Sequence, residues 1–178
     1  MILKKRFPDI SAVVLAGGKA SRFGGRNKAL IEVDGVPIIN RTLTLLEPLF
    51  REIILAGWPG ESPLPPGVIT VDDNFPGLGP LGGIEAAMKV SSSPVIFVLG
   101  GDMPWLSGEL IESQARDFAR EPADILVARI GELAEPLHSL YSRPFTAGWR
   151  DTSVQEAVQP SSTFTGWFIQ DITICPAP

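Results

Sequence analysis

Cysteine and histidine are nearly absent from this chain: Cys175 and His138 are the only ones in 178 residues. A single cysteine excludes an intramolecular disulfide, and one residue of each kind cannot assemble a Cys/His zinc site. A reducing cytoplasm is the simplest compartment for such a sequence. Long apolar runs are also missing. Nothing approaches the ~20 apolar residues of a membrane helix, and the run from Ile10 to Ala16 is too short for a signal peptide before it meets glycines. No membrane partner is expected. Positive charge is in short supply as well, with 15 basic against 20 acidic side chains and a net charge of −5. That balance argues against nucleic acid as a partner, because phosphate backbones are bound by clustered Lys and Arg. The longest basic run, Lys4-Lys5-Arg6, reads as part of a solvated, flexible tail over residues 1–9.

What is present suits a single globular domain over residues 1–178, with an atypical segment at 160–178. Ile10 to Leu15 is a short β-branched run, as in a buried strand. Leu30 to Val33 reads as an extended piece closed by the Asp34-Gly35 turn. Pro37 suits the first position of a helix whose apolar stripe is Ile38, Ile39, Leu43, Leu46 and Leu49. Further strands are expected at 52–56, 68–71, 94–99, 124–130 and 137–141. Helices are expected at 81–90 and about 107–120, the second capped by Ser107 with Leu110, Ile111, Ala115, Phe118 and Ala119 inward. Strands alternating with helices predict an α/β fold, a three-layer α/β/α arrangement around a mostly parallel, Rossmann-like sheet. Ligands bind such sheets outside the carboxyl ends of the strands. The loops after Leu15, Val71 and Leu99 are therefore the places to look.

The first of these loops is the most informative. In Leu15-Ala16-Gly17-Gly18-Lys19-Ala20-Ser21-Arg22-Phe23-Gly24-Gly25-Arg26-Asn27-Lys28, glycines let backbone amides approach phosphate oxygens, and Arg22 and Lys28 add positive charge suited to a triphosphate. It is not a P-loop, because Lys28 is followed by Ala29 rather than Ser or Thr. Nor is it a dinucleotide fingerprint, because Gly17 and Gly18 are adjacent. After the 94–99 strand, Gly100-Gly101-Asp102 places a carboxylate at a strand end. Mg²⁺ takes one or two carboxylates plus phosphate oxygens, so Asp102 is the candidate metal ligand. The alternative, that Asp102 caps the following helix, is weakened because Ser107 suits that position.

The strand, Leu-Ala-Gly-Gly, Arg22, the second Gly-Gly and a Lys ten residues after Gly18 together resemble the GT-A-like nucleotidyltransferases, with their nucleotide-diphospho-sugar-transferase-like fold. Within these, the chain most resembles the molybdenum cofactor guanylyltransferases over about residues 10–145. The resemblance implies GMP transfer from GTP to molybdopterin or molybdenum cofactor, Mg²⁺ as the metal, pyrophosphate as the second product, and transient contact with other cofactor-biosynthesis proteins. It implies that Leu15, Ala16, Gly17 and Gly18 contact the nucleotide, and that Lys28, with Arg22, holds triphosphate oxygens. Gly100-Gly101-Asp102-Met103-Pro104 resembles the family's metal-binding stretch. The family also places an Asp shortly before a Gly-Pro-Leu-Gly-Gly segment, found here at Gly79 to Gly83; spacing favours Asp73 over Asp72. Glu135 to Tyr141 resembles a strand near the pterin side, where His138 reads as a structural residue.

Two departures accompany the resemblance. Ala56-Gly57-Trp58 stands where the family commonly carries a base-reading Asn, and the C-terminal residues lack the family's Asn-rich, Thr-Pro segment. The transfer chemistry is thus better defined than the base or the acceptor contacts. Cytidylyl transfer to another phosphorylated acceptor, or nucleotide binding without turnover, are the competing readings. Trp149, Phe164, Trp167 and Phe168 are expected in the core rather than at an interface.

Overall fold

The structure, a computed structural model, describes residues 6–17, 27–60, 63–72, 79–130 and 133–144. The aromatic residues at 149, 164, 167 and 168 lie outside the described residues.

Among the described residues, eight strands and three α-helices follow in the order β1 (Ile10–Leu15), β2 (Glu32–Val33), β3 (Val36–Pro37), α1 (Ile38–Leu46), β4 (Ile53–Ala56), β5 (Val68–Val71), α2 (Pro80–Val90), β6 (Val95–Gly100), α3 (Gly108–Arg120), β7 (Ile125–Ile130) and β8 (Leu133–Ser142). β2 and β3 form a small antiparallel hairpin, and the other six make one sheet in the order β5-β4-β1-β6-β8-β7. β5, β4, β1 and β6 pair in parallel, while β8 runs antiparallel to both of its neighbours.

Apolar residues on both faces of the central strands explain the layering. In β1, Ala12 and Val14 join the cluster containing Ile39, Leu43 and Leu46 of α1 and Ile111, Ala115 and Phe118 of α3. Val13 between them points the other way, into a cluster with Ile84, Ala87 and Met88 of α2. The same alternation recurs in β6, where Phe97 and Leu99 face α1 and α3 while Ile96 and Val98 face α2. The chain steps outward from β1 through β4 to β5, then crosses back behind α2 to enter β6 on the other side of β1. The reversal leaves a crevice at the carboxyl ends of β1 and β6.

Several local expectations are corrected. Pro37 belongs to β3 and caps α1, which starts at Ile38. Leu49 is buried beyond the helix, which ends at Leu46: Glu47 still has helical backbone angles and caps it, and Pro48 has no amide to continue the ladder. On α3, Ala119 is exposed and Gln114 is buried instead, donating its amide to the His138 carbonyl over 3.2 Å. β8 runs for ten residues rather than five. Pro136 interrupts its pattern, and the chain absorbs that residue at a register shift opposite Val127/Ala128. The phenol of Tyr141 donates back to the Pro136 carbonyl over 2.9 Å.

At the opposite, amino-terminal edge of the sheet a polar cluster closes the fold. Ser11 donates to the Glu52 carboxylate over 2.6 Å and its hydroxyl lies 2.9 Å from those of Ser91 and Ser93. The Ser92 amide donates to the same carboxylate over 3.0 Å. Arg143 donates to the carbonyls of Met88, Ser91 and Ser93. Burial alone would raise the Glu52 carboxyl, but the bonds from Ser11 and Ser92 outweigh it and hold the group below its ordinary value.

Candidate active site

The carboxyl ends of β1, β4 and β6 meet closely. The amides of Ala16 and Gly17 both donate to the Ala56 carbonyl, over 2.9 and 3.1 Å, extending the β1–β4 pairing past Leu15. Gly57 then turns with φ +72°, and its amide donates to the Val71 carbonyl over 2.8 Å. A Cβ on Gly57 would lie 2.8 Å from the Gly17 Cα, so only glycine suits both the backbone angle and the space. On the other side of β1, the Gly101 amide donates to the Leu15 carbonyl over 2.9 Å. These bonds engage the amides of Ala16 and Gly17. At those positions it is the carbonyls, each with a second lone pair, that can receive a ligand donor. Gly57 and Gly101 were not marked by sequence reasoning, which looked for phosphate-binding glycines rather than for close strand approach.

Lys28 reaches this crevice on a single 3-10 turn, Lys28–Leu30. Asn27 caps that turn: its side-chain oxygen accepts from the Ala29 amide over 2.9 Å, and its side-chain nitrogen donates to the Ala16 carbonyl over 3.0 Å. One residue thus ties the lysine's turn to the end of β1. An Asn before a Lys-Ala-Leu turn was the available sequence signal for this role. The Lys28 ammonium lies 3.1 Å from an Asp102 carboxylate oxygen, and each side chain is 48% exposed. Residues 74 positions apart are therefore brought to one point in the crevice.

Other expected site residues are placed less centrally. Gly79 caps α2 with φ +62°, in open space where an added Cβ would meet nothing within 4 Å. Asp72 is exposed just beyond β5. Gly18, Arg22 and Asp73 lie outside the described residues. His138 is buried edge-on against Phe97, with ring centroids 5.5 Å apart, and burial lowers its pKa so that the imidazole is neutral. It sits inside the sheet layer beside Leu99 rather than at the crevice mouth.

A magnesium ion fits the donor set. Asp102 offers one half-exposed carboxylate at a strand end, and Mg²⁺ normally completes its shell with phosphate oxygens and water. Among the described residues no group of three or more His, Cys, Asp or Glu could hold a metal by itself, so a metal here would rely on the nucleotide for most of its ligands.

Fold and crevice together define an α/β protein of the nucleotidyltransferase type. Two solved structures share the fold: molybdopterin-guanine dinucleotide biosynthesis protein A from Archaeoglobus fulgidus (TM-score 0.60, 21% identity, 82% of this chain and 77% of that one) and a Mycobacterium tuberculosis protein in complex with manganese (TM-score 0.64, 18% identity, 94% and 88%). The chain belongs to the family of MobA-like NTP transferase domains, whose model matches residues 12–159. It is similar to the molybdenum cofactor guanylyltransferases of Vibrio atlanticus (35% identity, 75% of this chain, 69% of the relative) and Shewanella amazonensis (34%, 72% and 66%). The chain spans about two thirds of the length of these relatives. No helix among the described residues is long and apolar enough to cross a membrane.

Proposed function

We propose that the protein transfers GMP from GTP to molybdopterin, forming the guanine dinucleotide cofactor and releasing pyrophosphate. The observation that carries this reading is the approach of Lys28 to Asp102 within 3.1 Å at the carboxyl ends of β1 and β6. Kinship to guanylyltransferases supports the choice of GTP and of the acceptor.

The Lys28 ammonium and the Asp102 carboxylate meet at one point, so a triphosphate oxygen on the first and Mg²⁺ on the second would be held side by side. Asp102 would hold the ion, which when bound supplies charge neutralisation to the phosphates. Lys28, with Arg22, draws in the triphosphate oxygens, while Leu15, Ala16, Gly17, Gly18, Asp73 and Gly79 line the nucleotide. A phosphate oxygen of molybdopterin attacks the α-phosphorus of GTP. The bond from that phosphorus to the bridging oxygen breaks, and pyrophosphate leaves with the electron pair. The attacking phosphate is already ionised at neutral pH, so no general base is needed. Rate enhancement comes from alignment and from charge placed in advance.

The test is pyrophosphate release with Mg²⁺, molybdopterin and each nucleoside triphosphate in turn. Release with GTP alone is the expected result. Release with CTP would replace the guanylyl reading with a cytidylyl one, and binding without release would make the protein a nucleotide-binding module.

A further inference from the structure

We propose that Trp105, backed by Arg41, is the surface on which the fused, flat heterocycle of the acceptor stacks; this rests on the proposed transfer to a pterin-bearing acceptor. Trp105 follows Asp102 by three residues, so its Cα lies within about 11 Å of the carboxylate's own Cα. It is 65% exposed, an unusual placement for the largest of the apolar side chains. The Arg41 guanidinium carbon lies 5.0 Å from the centre of the indole. Arg41 is itself held, donating to the Val33 carbonyl over 3.2 Å and lying 3.7 Å from an Asp34 carboxylate oxygen. One indole face is thus backed by an anchored cation while most of the residue stays in water. Such an arrangement fixes the ring and leaves it ready to receive a planar, conjugated partner.

Position separates acceptor from base. Gly57 and Asp72 follow β4 and β5, on one side of β1, whereas Asp102 and Trp105 both follow β6, on the other. A nucleotide lying along the β4 and β5 ends presents its α-phosphorus at the pair of Lys28 and Asp102. The attacking molecule then arrives from the β6 side, over the indole.

The experiment measures KM for each substrate in wild type, Trp105→Ala and Trp105→Phe, together with quenching of indole emission by a free pterin. Trp105→Ala is expected to raise the acceptor KM about tenfold or more and to leave the GTP KM within about twofold, the scatter of a changed surface residue; Trp105→Phe should retain most of the affinity. Arg41 acts through the indole, so Arg41→Ala should weaken acceptor binding and Arg41→Lys restore it. An unchanged acceptor KM in Trp105→Ala, or a rise in the GTP KM instead, would overturn the proposal. Pterin quenching that is present in wild type and lost in Trp105→Phe supports the platform even if no triphosphate is turned over; quenching that persists unchanged in that variant refutes it.

Discussion

The amide of Gly101 donates to the carbonyl of Leu15 over 2.9 Å, one residue beyond the last aligned pair of β1 and β6, Leu15 and Gly100. The two strand ends are drawn so close that a Cβ on Gly101 would stand 2.7 Å from that carbonyl oxygen and 3.1 Å from the Ala16 Cα. Both obstacles are backbone, which cannot swing aside.

Gly101→Ala should therefore push the ends of β1 and β6 apart. Overpacking of this kind costs about 1–3 kcal/mol, and denaturant unfolding should register it as a lower midpoint with an unchanged slope. Because Asp102 is the next residue, turnover should fall as well. An alanine variant as stable as wild type would show that the approach is looser than described.

Asp102→Asn keeps the shape of the side chain and removes its charge. The carboxylate is half exposed and contributes little packing, so thermal unfolding should stay close to wild type. Asp102 would act through the ion it holds, and losing one such stabilisation of the phosphate charge should lower kcat by about 10²–10³. Pyrophosphate release against Mg²⁺ concentration is the measurement, and wild-type rates would remove Asp102 from the reaction.

Asn27→Ala removes both the cap of the 3-10 turn and the bond to the Ala16 carbonyl. A lost cap costs about 1 kcal/mol. The larger effect should be on nucleotide affinity, since Lys28 is the first residue of the turn so released. Calorimetric titration with GTP should show weaker binding in Asn27→Ala, and substitution by Asp, which keeps the capping oxygen, should recover part of the loss.

Glu52 makes stability depend on acidity. Its carboxyl is held below the ordinary value in the folded protein, so the stabilisation is fully present above the unfolded value, about 4.5, and disappears as pH falls through the lower folded value. Glu52→Gln should cost about 1 kcal/mol near neutrality, the net worth of a partly exposed charged hydrogen bond. The gap between variant and wild type should narrow steadily below about pH 4.5. A gap that stays constant down to pH 3 would contradict the assignment.

Much of the fold was legible because the signals were local. β1 and β6 announce themselves as β-branched runs ending in glycine, and Ser107 announces the start of α3 by accepting from the Leu110 amide over 3.3 Å. Features depending on partners distant in sequence were not legible. Gln114 turns inward because the His138 carbonyl waits on β8, and nothing near residue 114 reveals that acceptor. β8 outruns its apolar pattern because pairing with β6 and β7 carries it past Pro136. At the crevice, Lys28 and Asp102 stand out singly by composition. Their 3.1 Å separation depends on the β1–β6 register, and the requirement for glycine at 57 and 101 depends on how tightly neighbouring strand ends converge.

The serine and glutamate cluster sits at the amino-terminal edge of the same strands that carry the crevice at their carboxyl ends. Robustness and reactivity are consequently housed at opposite rims, a strand's length apart. Changes around Ser11, Glu52 and Arg143 can harden or soften the molecule against acid and heat while leaving the chemistry at the far rim as it was. An engineer seeking a sturdier variant would begin there.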